Sequence, residues 1–125
     1  MVKVFRHGDL DPAYAYYAYD PAVRTGVQVG VADLGSGGEV ATAPASGAPH
    51  VRLVDVTTGT ERASFFAPVG EAEGVLLGVL YAGASKDAVL LTGGGGEPVR
   101  GWAYRGGAAA FEPDDPTRAY GVYVG

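Results

Sequence analysis

Residues 26–33, which read GVQVGVAD, decide the fold of this chain, and they recur in altered form at residues 74–81, which read GVLLGVLY. In the first stretch Val27, Val29 and Val31 alternate with other residues, and this period of two is typical of a half-buried β-strand. The second stretch begins 48 residues later and keeps both glycines in register. A strand that recurs at a fixed spacing indicates a protein built from repeated units.

The same spacing is found elsewhere in the chain. A shift of 49 residues places residues 2–5 (VKVF) on residues 51–54 (VRLV). A shift of 95 residues, close to two periods, places residues 20–21 (DP) on residues 115–116 (DP). These shifts agree on one unit of about 48 residues. We therefore expect one repeat domain over residues 1–125, composed of a partial unit 1–25, units 26–73 and 74–120, and the start of a further unit at 121–125.

Each unit is predicted to contain four short strands. In the first complete unit we expect them over residues 26–34, 39–43, 49–56 and 62–67, with a hairpin turn at residues 57–60 (TTGT). In the second complete unit we expect them over residues 74–82, 88–93, 98–105 and 108–112. Apolar residues at helical spacing never continue for more than about two turns, so the fold class is predicted to be all-β.

The composition excludes several classes of protein. The net charge is −5 and the pI is near 4.8, so phosphate groups would be repelled and a nucleic-acid partner is not expected. No stretch approaches the roughly 20 consecutive apolar residues of a membrane span, so membrane insertion is not expected either. The chain has no cysteine for a disulfide framework, and its first residues lack the apolar segment of a signal peptide.

Several short motifs occur in a fixed order within residues 16–67. They are residues 26–33 (GVQVGVAD), 43–44 (AP), 49–55 (PHVRLVD), 58–61 (TGTE) and 64–67 (SFFA). This order resembles the FG-GAP repeat, the VCBS-type, integrin-α-like β-propeller repeat of bacterial surface and secreted proteins. The resemblance implies four-stranded, antiparallel, propeller-like blades. The chain holds about two and a half of them, fewer than the roughly four to eight of a closed propeller, so we expect them to be completed by oligomerisation. It also implies an extracellular or cell-surface location.

The resemblance further implies a calcium loop, Asp-x-Asp-x-Asp-Gly, after the first strand of a unit. The corresponding residues 33–39 read DLGSGGE, so only Asp33 and Glu39 remain as candidate ligands. The same position in the next unit contains Lys86. Calcium takes about six to eight oxygen ligands, which two carboxylates cannot supply. We therefore expect a glycine-rich hairpin without metal and no cofactor; the alternative is that Asp33 and Glu39 are the remnants of a weak calcium site.

No group of residues suggests catalysis. His7 precedes a turn, and His50 lies in a predicted strand at a position where the FG-GAP repeat also has histidine, so we expect structural or surface roles for both. No serine stands in the Gly-x-Ser-x-Gly elbow of a hydrolase. The glycine run at residues 93–96 is not followed by the Lys-Ser/Thr of a phosphate-binding loop. The chain is therefore predicted not to be an enzyme.

The aromatic stretch around residue 16 is the best candidate for a contact surface. In a strand, Tyr14 and Tyr16 would share one face while Tyr17 and Tyr19 would share the other. Tyrosine has an apolar body and a polar tip, which suits both inter-blade packing and contact with proteins or sugars. We expect packing, with ligand binding as the alternative. Trp102 is predicted to lie in the middle of a strand and to be buried between blades.

The last residues of the chain are the second candidate contact surface. A shift of 95 residues places residues 121–122 (GV) on residues 26–27 (GV), so this segment is predicted to be a first strand. Its alternating apolar residues carry no charge, and uncharged strand edges recruit other strands. The residues expected to mediate assembly are Tyr120, Val122, Tyr123 and Val124.

Two functions are consistent with these features. We expect a non-enzymatic structural protein whose chains associate end to end through edge strands, giving a homo-oligomeric ring if the contact closes and a filament if it does not. The alternative is a propeller module that binds a glycan or a protein ligand. In the alternative fold, a sandwich or barrel, the ends of the chain pair with each other.

Overall fold

The computed structural model describes residues 1–34, 38–67, 74–82, 87–93, 102–105 and 108–109. These residues form ten strands: β1 (Val2–Val4), β2 (Tyr14–Tyr16), β3 (Val27–Ala32), β4 (Glu39–Pro44), β5 (His50–Asp55), β6 (Glu61–Phe66), β7 (Leu76–Ala82), β8 (Asp87–Gly93), β9 (Trp102–Arg105) and β10 (Ala108–Ala109). Every neighbouring pair is antiparallel, and the described residues contain no helix. The prediction of an all-β chain is confirmed.

The strands form three sheets. β1 and β2 make the N-terminal hairpin, β3 to β6 make the central sheet in the order β3-β4-β5-β6, and β7 to β10 make the C-terminal sheet in the order β7-β8-β9-β10. Within each sheet, strands that follow one another in sequence are also neighbours in the sheet, as expected for strands joined by short turns. The predicted strands of the first complete unit match those of the central sheet to within two residues.

One strand extends further than expected. We predicted that the second strand of the central sheet stops before Pro44, but β4 includes Pro44, which pairs with Val27. Proline lacks only the N–H group, and its carbonyl still accepts a hydrogen bond. The carbonyl of Pro44 accepts one from the N–H of Val75 at 3.1 Å, and this bond connects the central sheet to the start of the C-terminal sheet.

The central sheet is the middle layer of the described structure. All six residues of β4 are buried, so both faces of this strand are covered. On one face, Ala41 and Leu53 belong to a core that includes Leu77 of the C-terminal sheet. On the other face, Val40 packs with Val2 and Ala18 of the N-terminal segment. The three sheets are therefore stacked, with the central sheet between the other two.

The repeat is visible in the burial of matching residues. Val2 and Val51, which lie 49 residues apart, are both buried, and so are Ala18 and Ala67 at the same spacing. Thus the N-terminal hairpin occupies the position in its layer that β5 and β6 occupy in theirs. The N-terminal hairpin and the central sheet turn the same face towards the layer that follows each of them.

The strand register of the second complete unit is displaced by two residues relative to that of the first. In the central sheet Thr42 lies opposite Arg52, and in the C-terminal sheet Thr92, also fully buried, lies opposite Trp102. A shift of 48 residues matches Arg52 to Arg100 instead. The difference arises because the β7–β8 hairpin continues to the pair Ala82–Asp87 and is two residues longer than its counterpart.

β9 is described from Trp102 onward, and the residues that would place Trp102 in the middle of a strand lie outside the described residues. The predicted burial of Trp102 concerns a side chain that lies outside those that the structure describes. The predicted strand residues 98–101 and 110–112, and the further unit expected at residues 121–125, also lie outside the described residues.

At Gly74, just before β7, the backbone of the chain passes very close to the backbone of the central sheet. Its φ is +73°, and a Cβ atom at this position would lie 2.2 Å from the backbone carbon and oxygen of Ala45. A contact this short with rigid backbone cannot be relieved by moving a side chain. Only glycine is therefore accommodated at position 74.

We predict that Gly74→Ala lowers the free energy of unfolding by about 1–3 kcal/mol more than Gly47→Ala does. Gly47 also has a positive φ (+90°), but a Cβ there would meet nothing within 4 Å, so it serves as the control for backbone strain alone. That strain is worth about 1 kcal/mol, and forced overlap adds about 1–3 kcal/mol. Urea unfolding of both variants measures the difference, and equal losses would show that the close approach at Gly74 is wrong.

Candidate functional site

The connection between β3 and β4 is held by one of its own carboxylates; the sequence predicts a hairpin without metal here, with a weak calcium site as the alternative. Glu39 is buried, and its Oε2 atom accepts a hydrogen bond from the N–H of Leu34 at 2.9 Å. Asp33 is exposed, and residues 35–37 between them lie outside the described residues. No cluster of three or more potential metal ligands occurs among the residues that the structure describes. The Glu39 carboxylate thus acts as an acceptor that closes the β3–β4 connection.

The four tyrosines do not divide between two faces of one strand. β2 ends at Tyr16, so the expectation that Tyr17 and Tyr19 share a strand face is wrong. Tyr17 is 59% exposed, whereas Tyr19 packs against the core that contains Val40. The hydroxyl of Tyr19 donates towards the carbonyls of Thr42 at 2.9 Å and His50 at 2.6 Å. These hydrogen bonds fix the segment after β2 on the central sheet.

Tyr14 and Tyr16 lie side by side on the N-terminal hairpin, with ring centroids 6.0 Å apart. The Tyr14 hydroxyl donates to the carbonyl of Asp55 at 2.9 Å. The Tyr16 hydroxyl is buried and has no hydrogen-bond partner in the described part of the chain. Burial raises the pKa of Tyr16 to about 12. These contacts bring three of the four predicted residues into the packing between hairpin and sheet and leave Tyr17 exposed.

Asp55 organises the turn between β5 and β6. Its Oδ1 atom accepts hydrogen bonds from the N–H groups of Thr57 and Thr58, both at 2.8 Å. Its Oδ2 atom pairs with Arg62 at 2.6 Å. The Arg62 guanidinium, followed by these backbone N–H groups, holds the pKa of Asp55 well below its usual range. The sequence analysis missed this role, although an aspartate two residues before a turn, here the turn at residues 57–60, is a known signal for such hydrogen bonds.

Further polar contacts lie on the outer part of β5 and β6. Arg52 pairs with Glu61 at 2.5 Å and also donates to the carbonyl of Ala18, which connects the N-terminal segment to the central sheet. His50 Nε2 lies 2.5 Å from Ser64 Oγ. The His50 ring stacks on Phe66 at a centroid distance of 4.9 Å, and Phe66 is 67% exposed.

The clearest candidate site is an uncovered strip of the central sheet. Val29 and Val31 of β3 are 51% and 59% exposed, on the sheet face that is turned towards the N-terminal hairpin. The residues 48 positions later, Leu77 and Val79 of β7, are partly buried against the core of the central sheet. The repeat therefore places equivalent residues in different surroundings: they are packed in the C-terminal sheet and exposed in the central sheet.

β1 provides one wall of this strip. Among the described strands β1 pairs only with β2, so no described strand lies along its other edge. The carbonyl of Val4 accepts a hydrogen bond from the N–H of Ala13 at 2.7 Å and hence points towards β2. Successive residues of a strand direct their backbone groups to opposite edges. We therefore infer that the N–H and carbonyl of Lys3 face the open edge.

A groove of about 470 Å³ runs beside this edge. It is lined by residues 1–3, by Val23 and Arg24, and by the start of β3. We call it the β1 groove.

Four residues predicted to mediate assembly lie outside the described part of the chain: Tyr120, Val122, Tyr123 and Val124. A helix long and apolar enough to cross a bilayer does not occur in the described ranges. Comparison of the chain with protein-family models, curated proteins and solved structures found no match in any of the three. The resemblance to the FG-GAP repeat therefore stays a prediction.

We predict opposite effects for two hydroxyl deletions. Tyr16→Phe removes a buried hydroxyl without a partner, so the free energy of unfolding should stay unchanged or rise by up to about 1 kcal/mol. Tyr19→Phe removes a hydroxyl bonded to β4 and β5, so it should lower that free energy by about 1 kcal/mol or more. Chemical denaturation measures both. A loss of stability in Tyr16→Phe as large as that in Tyr19→Phe would contradict the packing described for these rings.

We also predict that Asp55 makes the protein sensitive to acid. Because its pKa is lower in the folded than in the unfolded state, its contribution to stability is complete above about pH 4 and is lost as the pH falls towards the folded pKa. Asp55→Asn should be less stable than wild type at neutral pH and should lose less stability on acidification. Unfolding midpoints at about pH 7 and about pH 3 test this. The control, Asp9→Asn, alters an exposed carboxylate and should keep the wild-type profile.

Proposed function

We propose that this chain is a non-enzymatic structural protein that forms homo-oligomers when a strand from another chain enters the β1 groove. The contrast between Val29 and Val31, which are exposed, and Leu77 and Val79, which are packed, carries the proposal. In the second complete unit, which follows a complete sheet, these positions are packed against it. In the first complete unit they stay open beside an unpaired strand edge. Exposed apolar positions next to such an edge favour strand addition.

Blade-like layers are part of the same proposal. Three successive layers turn equivalent faces towards one another, which supports the interpretation of the units as propeller-like blades of the FG-GAP type. Added end to end, such layers give a ring if the rotation closes and a filament if it does not. An extracellular or cell-surface location follows from the same resemblance.

The estimated free energy of adding one strand in the β1 groove is small, so association through this contact requires a high protein concentration. Covering two half-exposed valines contributes about 1 kcal/mol each. Each new backbone hydrogen bond along β1 adds about 0.5–1.5 kcal/mol net. Association costs at least about 4 kcal/mol in lost freedom of movement. A single contact of this size is weak, so a stable assembly requires several such contacts, as ring closure provides.

An alternative function is the binding of a glycan or protein ligand. The exposed ring of Phe66, stacked on His50 beside the polar Ser64, favours it, because an apolar face next to hydrogen-bonding groups suits sugar rings. This surface lies on β5 and β6 of the central sheet. The two functions therefore use different residues and can be tested separately.

We predict that Lys3→Pro raises the dissociation constant of the oligomer about tenfold or more, because proline removes the N–H at the open edge of β1. Proline at this position leaves the β1–β2 hydrogen bonds of Val4 in place. The control, Lys3→Ala, keeps the N–H and should change the constant only about twofold. Sedimentation at several concentrations measures both, and circular dichroism checks that the variants are folded.

Equal assembly by Lys3→Pro and wild type would contradict the proposed site. Wild-type assembly by Lys3→Pro, together with saturable glycan binding that Phe66→Ala abolishes, would favour the alternative.

A further inference from the structure

We infer that the exposed rings of Tyr17 and Phe66 form a site for a neutral, extended glycan, with one ring in the N-terminal layer and one in the central sheet. The site is separate from the β1 groove. It rests on the glycan-binding alternative and adds to it a second contact and the chemical class of the ligand. We call the two rings the Tyr17 platform and the Phe66 platform.

The two rings occupy equivalent positions in the repeat. They lie 49 residues apart, and both are more than half exposed. Each ring directly precedes a buried alanine, which is Ala18 in one layer and Ala67 in the other. Stacked sheets lie about 10 Å apart, so the two platforms are separated by about that distance. A ligand that touches both platforms is therefore longer than a single sugar ring.

Polar side chains surround the Phe66 platform on its own face of the sheet. His50 lies opposite Phe66, and the two rings stack at a centroid distance of 4.9 Å. The next pair on this face of the two strands is Arg52 and Ser64. His50 Nε2 lies 2.5 Å from Ser64 Oγ, and Arg52 pairs with Glu61. An apolar ring face with hydrogen-bonding groups at its rim is complementary to the ring hydrogens and hydroxyls of a sugar.

The small size of the apolar patch favours a glycan over a protein. The neighbouring pair on the same face, Arg52 and Ser64, is polar, so the apolar surface at Phe66 does not continue along the strands. A stable protein interface covers about 800 Å² on each partner and has an apolar centre. One aromatic ring, by contrast, is large enough to stack on one sugar ring.

The charge of the chain favours a neutral glycan. The net charge is −5, so an acidic polysaccharide would be repelled. Arg52, a cation beside the Phe66 platform, already pairs with Glu61. A glucan with equatorial hydroxyls has only ring hydrogens on both faces of each sugar, and these faces suit exposed aromatic rings. The ligand class is therefore a neutral glucan chain.

The two platforms differ in their polar surroundings. At a shift of 49 residues, the position of Ser64 corresponds to Ala15, which has no hydroxyl. The Tyr17 platform thus lacks a hydrogen-bonding group that the Phe66 platform has. We therefore assign the main contact to the Phe66 platform, and the Tyr17 platform extends the site for longer chains.

Gluco-oligosaccharides of different length test this arrangement. Isothermal titration measures the affinity of the wild-type chain for cellobiose and for cellohexaose. The rings of cellobiose are joined directly, so it covers one platform at a time, whereas cellohexaose reaches both. We expect cellohexaose to bind about tenfold more tightly than cellobiose, because its second contact is intramolecular.

Substitutions separate the two platforms. Phe66→Ala should weaken the binding of both sugars about tenfold or more, whereas Phe66→Tyr keeps the ring and should bind as wild type does. Tyr17→Ala should lower the affinity for cellohexaose to about that for cellobiose and leave cellobiose binding unchanged. The control, Phe5→Ala, removes a half-exposed ring outside the platforms and should change neither affinity. Circular dichroism checks that each variant is folded.

Three results would overturn the inference. The first is a wild-type chain that does not bind cellohexaose, and the second is a loss in Phe5→Ala as large as that in Phe66→Ala. The third is equal affinity of the wild-type chain for both sugars. If Phe66→Ala still abolishes binding in that case, the glycan-binding alternative stands without a second platform. Assembly through the β1 groove is decided separately by Lys3→Pro, so its failure and the failure of this site are distinguishable.

Discussion

The burial of β4 from both sides is the constraint on which the rest of the structure depends. Ala41 and Ala43 are small enough to let the C-terminal sheet approach one face, and Val40 and Thr42 pack under the N-terminal segment on the other. A strand with no exposed face needs a packed layer on each side, here the C-terminal sheet and the N-terminal segment. The fold therefore continues as a stack, and any position whose outer layer is incomplete exposes apolar surface.

Polar groups fix the stack at its margins. Asp55 binds its own turn and, through its carbonyl, the hydroxyl of Tyr14, while Arg52 connects Glu61 with the carbonyl of Ala18. Hydrogen bonds to charged groups of this kind are stronger than neutral ones. They hold the N-terminal hairpin over β4 and β5 but do not extend over β3. The β1 groove is the consequence of that partial cover.

The sequence predicts the strands well and the site poorly, for physical reasons. Strand bounds follow from local alternation and from turn residues, so β3 to β6 were found to within two residues. The exposure of Val29 and Val31 depends on which layer covers them, and their alternation is the same as that of buried valines. The two-residue displacement that places Trp102 opposite Thr92 comes from a longer hairpin and is visible only in the strand register. Tyr19 lies outside β2, and its hydroxyl donates hydrogen bonds to two carbonyls of the central sheet, a long-range contact that local alternation does not predict.

The solution mass of the wild-type chain tests the central claim most directly. Light scattering over a range of concentrations reports whether the uncovered strip recruits another copy. We expect masses that rise with concentration to a defined multiple of 12.7 kDa, or to long polymers. A mass that stays at 12.7 kDa at every concentration would show that the strip is covered within one chain, and it would contradict assembly through the β1 groove.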